Sequence, residues 1–252
     1  MYDLQKASLL KRFSAFLLDF ILIVIAITGF AYLISVISGY DNHLNRLNQI
    51  EAEYEEVYSV DFDIAREDYN KLSKEDKKAI DDAYALFAKD DEVIYTYNLL
   101  LNLTLVMITF SILLSFIALE FVVPMLFGNG QTLGKKVFAI GVMHVNGIRI
   151  RGTALFTRSV IGKCTIETLV PVMILFSLLF GGGGAVSIIV LGLIFVLQCF
   201  VFFRGKLFTP IHDILSYTVC VDLASQMIFE TEADLIAYKK RVHQELVENS
   251  DY

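Results

Sequence analysis

Apolar residues in this chain are concentrated in four long blocks instead of recurring at a helical or strand period. The blocks are Phe13–Ile37, Leu99–Phe127, Thr165–Phe180 and Ala185–Phe203. A bilayer core ~30 Å thick is crossed by about 20 apolar residues in a helix that rises ~1.5 Å per residue. The pattern therefore predicts four transmembrane helices, the last two joined by a tight turn at Gly181–Gly184.

Charged residues beside the blocks predict the orientation. Basic residues lie before the first block, between the second and third, and after the fourth; examples are Lys11, Lys135, Arg158, Lys163, Arg204 and Lys206. The connection 40–94 instead carries 16 Asp/Glu and 7 Lys/Arg, a net charge of −9 in a chain of net charge −7. Because basic residues near membrane ends stay inside, we expect a multi-pass plasma-membrane protein with both termini in the cytoplasm.

The acidic connection has the spacing of amphipathic helices. Apolar residues recur every three or four positions from Leu44 to Tyr58, and Ser73 precedes a second such stretch as a candidate N-cap. Residues 39–95 are therefore predicted to form an extracytoplasmic helical insertion between the first two membrane helices. Two readings of this insertion remain open: a solvated helical cap, and a module that docks a partner protein.

The cytoplasmic connection has a different pattern. Val137–Val145 alternates, and Asn146-Gly147 separates it from Ile148–Arg151, which predicts a small β-hairpin. Tyr217–Asp222 is a candidate third strand, and Glu232–Val247 a helix in the tail. The predicted fold is an all-α membrane protein with these additions. Its segments are residues 1–38 (N-terminal arm and first span), 39–95 (insertion), 96–222 (three further spans and the hairpin) and 223–252 (cytoplasmic tail).

Asp19 is the most informative polar residue, because it lies inside the first apolar block. A charge at the centre of a membrane helix costs ~2.5–3.5 kcal/mol on insertion scales, so such a side chain normally faces protein or water and has a partner. Arg12 is two turns away, and Arg204 or Lys206 is the nearer candidate partner. Asp19 either fixes helix register through a charge network or binds a cation or proton.

Other polar residues gather toward the same, cytoplasmic ends of the blocks. Pro124 follows Glu120 by one turn and is expected to free the Glu120 backbone carbonyl from its helical hydrogen bond. Glu167 follows Lys163 by four residues at the start of the third block, and Gln198 lies on the fourth. This one-sided polarity is typical of an inward-open vestibule, or of a scaffold anchored by charges.

Motifs for other chemistries are missing from the sequence. The segment GNGQTLGKK lacks a phosphate-binding loop pattern, since Asn129 stands where glycine is required and Lys136 where Ser or Thr is required. We therefore expect no enzyme activity, no catalytic residues, no cofactor, no metal site and no nucleic-acid binding. The three cysteines, Cys164, Cys199 and Cys220, fall outside the external segment, so no disulfide framework is expected.

Several of these features together resemble a known family. KRFSAFLLDF contains Arg12 and Asp19, GQTLGKK follows the second block, a VNG turn comes next, and His212-Asp213 follows the last block. The pattern resembles the RDD family of bacterial membrane proteins, over residues 6–38 and about 98–222. The resemblance implies that Arg12, Asp19 and Asp213 are the residues that name the family. It also implies a helical membrane domain whose function is often supposed to be transport.

Two functions are consistent with the sequence. One is a small transporter or ion-coupling protein, whose charged site combines Arg12, Asp19 and Asp213 with the supporting residues Glu120, Glu167, Arg204, Lys206 and Gln198. The alternative is a non-catalytic scaffold or accessory subunit that docks partners through its acidic external helices. The expected partners are the lipid bilayer, a cation or proton, and either a second copy of the chain or another membrane or extracytoplasmic protein.

Overall fold

A computed structural model describes residues 5–167, 192–193, 196–197, 199–200 and 210–248. These residues form a mainly helical structure with a small two-stranded sheet. The elements in chain order are α1 Leu9–Ser38, α2 Tyr40–Tyr58, α3 Arg66–Lys71, α4 Lys74–Phe87, α5 Asp91–Phe116, the π-helix π1 Ile117–Val122, α6 Val123–Phe127, α7 Leu133–Val137, β1 Ile140–His144, α8 Gly152–Phe156, the π-helix π2 Thr157–Glu167, α9 Ile211–Leu215, β2 Thr218–Asp222 and α10 Glu232–Glu248.

Two helices in the described part of the chain are long and apolar enough to cross a membrane. They are Leu9–Ser38, with a mean hydropathy of 2.7, and the continuous stretch Asp91–Phe127, with 2.4. Few of their residues are buried, which differs from the core helix of a soluble protein. The third and fourth predicted spans lie almost wholly outside the described residues, as do Gln198, Arg204 and Lys206, so four spans remain a prediction.

The structure divides into two compact units, residues 1–28 with 111–252 and residues 29–110. The second unit contains the predicted acidic insertion, and its helices are confirmed. α2 follows Gly39, whose φ of 66° ends the preceding helix in a left-handed conformation. α4 begins after Ser73, whose hydroxyl accepts a hydrogen bond from the backbone N–H of Asp76 at 3.1 Å.

Aromatic rings form the centre of this second unit. The Phe62 ring lies 5.6 Å from the rings of both Tyr84 and Phe87, and Tyr54 meets Phe87 at 5.5 Å. The Tyr54 hydroxyl donates to Asp90 at 2.8 Å. The apolar positions that recur along α2 and α4 are thus used to pack the two helices together, while the acidic residues remain mostly exposed.

The sheet belongs to the first unit and differs from the predicted hairpin. β1 pairs antiparallel with β2, with Ile140 opposite Asp222 and His144 opposite Thr218. The predicted turn at Asn146-Gly147 forms, but the returning segment makes only an isolated bridge with β1 and then pairs with Phe229. The predicted pairing across Asn146-Gly147 is thus reduced to a bridge, whereas the candidate strand Tyr217–Asp222 is confirmed as β2 and is the main partner of β1. Pairing with β2 lets both faces of β1 become buried.

The start of β1 also differs from the prediction. The alternating stretch was expected to begin at Val137, but that residue ends the short helix α7, and the strand begins at Ile140. The intervening Ala139 has a φ of 53°, which turns the chain from helix to strand.

The N-terminal arm lies along the other side of β2. Ala7 donates its backbone N–H to the Cys220 carbonyl at 3.2 Å, and Asp222 donates to the Gln5 carbonyl at 3.1 Å. The Lys11 ammonium contacts the Asp222 carboxylate at 2.6 Å. These contacts place α1 beside the sheet. The predicted tail helix is confirmed as α10, one residue longer than expected.

Candidate functional site

The first unit contains a cavity of about 660 Å³, called here the charged cavity. Its walls come from α1, α7, π2, α9 and the sheet. Charged and titratable side chains line it from several elements: Arg12, Asp19, Lys135, Arg158, Lys163, Glu167, His212 and Asp213. The three residues predicted from the family pattern, Arg12, Asp19 and Asp213, therefore line one cavity although Asp213 is about 200 residues from the other two.

Asp19 is buried, with 7% of its surface exposed, and it contacts the segment that follows α6. Its Oδ1 accepts the backbone N–H of Gly134 at 2.7 Å, and its Oδ2 accepts the Thr132 hydroxyl. Charge-assisted hydrogen bonds of this kind are stronger than neutral ones. The sequence predicted a basic partner for Asp19, whereas these neutral donors lie more than 110 residues away in the chain.

Gly134 permits this contact because α7 lies against the backbone of α1. A Cβ atom at position 134 would lie 2.3 Å from the Ala15 carbonyl oxygen and 2.9 Å from the Asp19 carboxyl carbon. Thr132 adds the helix cap, since its hydroxyl accepts the Lys135 backbone N–H at 3.3 Å. The GQTLGKK segment is thus a polar turn that receives the carboxylate of the first membrane helix.

Asp213 forms a buried ion pair with Arg158. Arg158 Nε donates to Asp213 Oδ1 at 2.8 Å, and the two side chains are only 2% and 3% exposed. Thr218 donates its hydroxyl to the same oxygen at 2.9 Å. Burial by itself would raise the pKa of Asp213, but the Arg158 guanidinium outweighs it and holds that pKa well below the usual range. The carboxylate is therefore ionised.

His212 bridges this ion pair to Glu167. Its Nδ1 lies 2.8 Å from Glu167 Oε1, and its Nε2 lies 3.2 Å from Nη2 of Arg158. Since guanidinium N–H groups only donate, Nε2 is the acceptor, and the single ring proton of neutral His212 sits on Nδ1 facing Glu167. Burial lowers the pKa of His212 below its ordinary value of 6.5, and the Arg158 charge acts in the same direction. The ring is neutral at pH 7.

Close packing of π2 on α9 makes these contacts short. A Cβ atom on Gly162 would lie 2.6 Å from the Cβ of His212. The glycine therefore lets Arg158 and Glu167, on either side of it, reach α9. Neither Arg158 nor His212 was predicted as a site residue: Arg158 was used only for the orientation, and His212 was noted only as the neighbour of Asp213 in the family pattern.

Glu120 pairs with Lys163, which lines the cavity. Its carboxylate accepts the Lys163 ammonium at 2.6 Å, and its backbone carbonyl accepts the Ser159 hydroxyl. The helix is a π-helix here, directly before Pro124, and this geometry leaves backbone groups available for other partners. The Glu120 carbonyl thus accepts a hydrogen bond from outside its own helix. Lys163, expected beside Glu167, contacts Glu120 instead.

Lys135 is a buried cation in the same cavity. Its ammonium donates to the Thr132 hydroxyl at 3.3 Å and is 8% exposed as a residue. Burial, together with the positive charges of Lys163 and Arg158, lowers the pKa of Lys135 to about 8. From the sequence, Lys135 contributed only to the prediction of topology. In the structure it is part of the site.

In the described part of the chain, no group of three or more His, Cys, Asp or Glu side chains is arranged to hold a metal ion. Cys164, Cys199 and Cys220 are not joined in disulfides, and Cys199 and Cys220 line the cavity.

Stability in detergent should fall as the pH drops through about 6.5, because of His212. Its pKa is lowered by burial in the folded protein, so the unfolded chain binds the proton more readily and acid favours unfolding. Asp213, whose pKa is also lowered, keeps its stabilising effect until well below this range. Thermal unfolding midpoints at pH 7.5 and 5.5 should differ less for His212→Gln than for the wild type.

The exposed His243 provides the comparison for that measurement. His243→Gln should retain the pH dependence of the wild type. An unchanged dependence in His212→Gln would contradict the assignment of the acid-sensitive step to that ring.

Comparison with known proteins gives one finding about the family. The model of the RDD family matches residues 6–217 of the chain, which include the arm, both described membrane helices, the acidic unit and nearly all of the charged cavity. No curated protein and no solved structure matches the chain.

Proposed function

The chain belongs to the RDD family of membrane proteins, and from that premise we propose that it is a small ion-coupling transporter whose charged cavity takes up a proton during its cycle. The observation that carries the proposal is the cavity itself. It collects His212, Lys135 and three carboxylates from elements far apart in sequence. Titratable groups with perturbed pKa values in one concave site are candidates for proton exchange.

A proton fits the cavity better than a directly coordinated cation. Carboxylate oxygens of Asp19 and Asp213 already accept hydrogen bonds from N–H and O–H donors. Glu167 likewise accepts from the backbone and ring of His212. A metal cation would have to displace these donors, whereas a proton needs only one available lone pair.

The Nε2 atom of His212 offers such a lone pair. Protonation there places an N–H against the Arg158 guanidinium, 3.2 Å away, so the two groups must separate. Asp213, 3.8 Å from the same ring nitrogen, and Glu167 on the other side both stabilise the charged ring. Cys220 contacts Arg158 from the sheet at 3.4 Å. Proton uptake would thus break the contact of Arg158 with His212 and rearrange the packing of π2 on α9.

We further propose the membrane arrangement that the charges favour. In this arrangement four helices span the plasma membrane and the cavity opens toward the cytoplasm, with both termini on that side. The basic residues of the arm and of the connection after α6 support this arrangement, since basic residues near membrane ends stay inside. The acidic charge of residues 40–94 supports it as well. Since four helices enclose little space, transport would involve a dimer or larger assembly.

The scaffold alternative has one specific observation in its favour. The same charged groups join α1, α7, π2, α9 and the sheet through buried hydrogen bonds, which is what a purely structural network also does. In that case the acidic external helices would dock the partner. The two functions predict different results for ion movement.

Proton movement in proteoliposomes tests the proposal. Vesicles that contain the protein and an internal pH dye receive a Na⁺ or K⁺ gradient. The wild type should change the internal pH faster than protein-free vesicles, since it couples the ion to a proton. His212→Gln should move protons no faster than protein-free vesicles, and His243→Gln should match the wild type.

Folding must be checked at the pH of the assay, by size exclusion and thermal unfolding of each variant. A folded wild type that moves no protons under either gradient would refute the transport proposal and favour the scaffold. Normal flux in His212→Gln would remove that ring from the mechanism.

A further inference from the structure

The charged cavity is much larger than an ion requires. Its volume of about 660 Å³ is within the range of about 300–1,000 Å³ that is typical of sites for small organic ligands. A proton or a single inorganic ion would leave most of this space to another occupant. The walls of the cavity indicate the chemistry of that occupant.

One wall is an apolar face of α1. Leu9, Phe13 and Phe16 line the cavity and share a helix face with Arg12 and Asp19, since their spacing is three or four residues. Phe13 and Phe16 are 62% and 59% exposed, so their rings present apolar surface. Ile211 and Pro210 continue the apolar lining at the start of α9. An apolar body of a ligand fits against this wall.

The lining also contains charged side chains, and the positive ones are the better placed to bind a ligand. Four basic residues line the cavity against three acidic ones. The acidic ones accept the hydrogen bonds described above, and Arg158 and Lys163 are held by Asp213 and Glu120. Lys135 differs from Arg158 and Lys163, because its ammonium donates to the neutral hydroxyl of Thr132 and not to a carboxylate.

Within the described part of the chain, Lys135 therefore has two further N–H donors in a low-dielectric site, since an ammonium carries three. Burial, Lys163 and Arg158 all disfavour the positive charge of Lys135 and lower its pKa. A ligand anion beside it would relieve this. Arg12 lines the cavity one turn before Phe16 and adds a second cation next to the apolar wall.

We propose that the charged cavity binds an amphiphilic anion, with a phosphate or carboxylate head at Lys135 and Arg12 and an apolar chain against Leu9, Phe13 and Phe16. The ligand is either the headgroup region of an anionic lipid or a soluble amphiphile of the same chemistry. The inference names the substrate class of the transporter proposed above and rests on that function for transport, while the binding is measured separately.

Titration with decyl phosphate tests the binding. The protein is placed in phosphatidylcholine nanodiscs, and the heat of binding is measured against empty nanodiscs. The wild type should bind saturably at one site per chain. Lys135→Gln should weaken binding about tenfold, the usual size of one charge-assisted hydrogen bond. Lys136→Gln removes the same charge from the exposed neighbour on α7 and should leave the affinity unchanged.

The apolar wall has its own variant, which also covers the case that Lys135→Gln fails to fold. Phe13→Ala changes an exposed side chain and should weaken decyl phosphate binding while leaving any binding of inorganic phosphate as it was. Inorganic phosphate should bind the wild type far more weakly than decyl phosphate. Equal affinity for the two would overturn the proposal, as would no saturable binding, or equal losses in Lys135→Gln and Lys136→Gln.

The source of the ligand is decided by adding phosphatidylglycerol to the nanodiscs. Displacement of decyl phosphate supports a lipid ligand, and undiminished binding supports a soluble amphiphile. No ion gradient is present in this measurement. If the protein binds decyl phosphate but moves no protons, the transport proposal is refuted and the binding proposal stands.

Discussion

Replacing Arg158 with leucine should lower the free energy of unfolding by about 3–5 kcal/mol, because it leaves the buried Asp213 carboxylate without its cation. The two side chains are 2% and 3% exposed, so water cannot replace the lost partner. Arg158 also contacts His212 and Cys220, and both contacts disappear with it. The measurement is chemical or thermal unfolding of the purified protein in detergent at pH 7.5.

Arg151 provides the matched comparison, since it is an arginine in the same connection but exposed. Arg151→Leu should change stability by well under 1 kcal/mol, as is usual for exposed charges (about 0.2–1 kcal/mol). The double variant Arg158→Leu/Asp213→Leu should recover part of the loss, because it removes both charges together. Equal stability of Arg158→Leu and Arg151→Leu would contradict a buried ion pair.

Gly134→Ala should be the second strongly destabilising change, with an expected loss of about 3 kcal/mol. The added methyl group would lie 2.3 Å from the Ala15 carbonyl oxygen, so α7 must move away from α1. That movement weakens both hydrogen bonds to Asp19, which come from Gly134 and Thr132. Unfolding in detergent measures the loss.

Gly152→Ala is the comparison, because a Cβ atom at that position meets nothing within 4 Å. It should have little effect or a small stabilising one, since alanine favours helix over glycine by roughly 1 kcal/mol. In an Asp19→Asn background, Gly134→Ala should cost less than in the wild type, because the contact it disturbs is already weakened. Fully additive losses would mean that Gly134 and Asp19 act independently.

These two changes address different halves of the charged cavity. Gly134 and Asp19 fix α1 to the segment after the second membrane helix, while Arg158 and Asp213 fix π2 to α9 and the sheet. If proton uptake at His212 separates its ring from Arg158, only the second contact changes during the cycle. The Asp19 contact, made with neutral donors, then serves as the fixed side of the cavity.

Much of the fold was predictable from local pattern. The length and hydropathy of the blocks gave the two described membrane helices, and three- and four-residue spacing gave α2, α4 and α10. The Ser73 cap and the freed carbonyl of Glu120 were also predicted, since each depends on residues within four positions of each other. The family pattern pointed to Arg12, Asp19 and Asp213, which line one cavity.

The partners of those residues were decided by the tertiary structure. Charge alone suggested a basic partner for Asp19, whereas the fold provides Thr132 and Gly134, and it gives Asp213 to Arg158. Similarly, a strong turn signal at Asn146-Gly147 predicted a local hairpin, but β1 pairs with a strand about 80 residues later.

The physical reason is that interactions between near neighbours produce recognisable sequence patterns, whereas interactions between distant segments do not. Hydrophobic transfer into a bilayer, helix periodicity and capping act between near neighbours, so they appear as runs and spacings. A hydrogen bond or ion pair between distant segments requires only that a donor and an acceptor meet. Many donors in this chain have the chemistry to bind Asp19. Packing, such as the close approach of Gly134 to Ala15, decides which donor lies within reach of it.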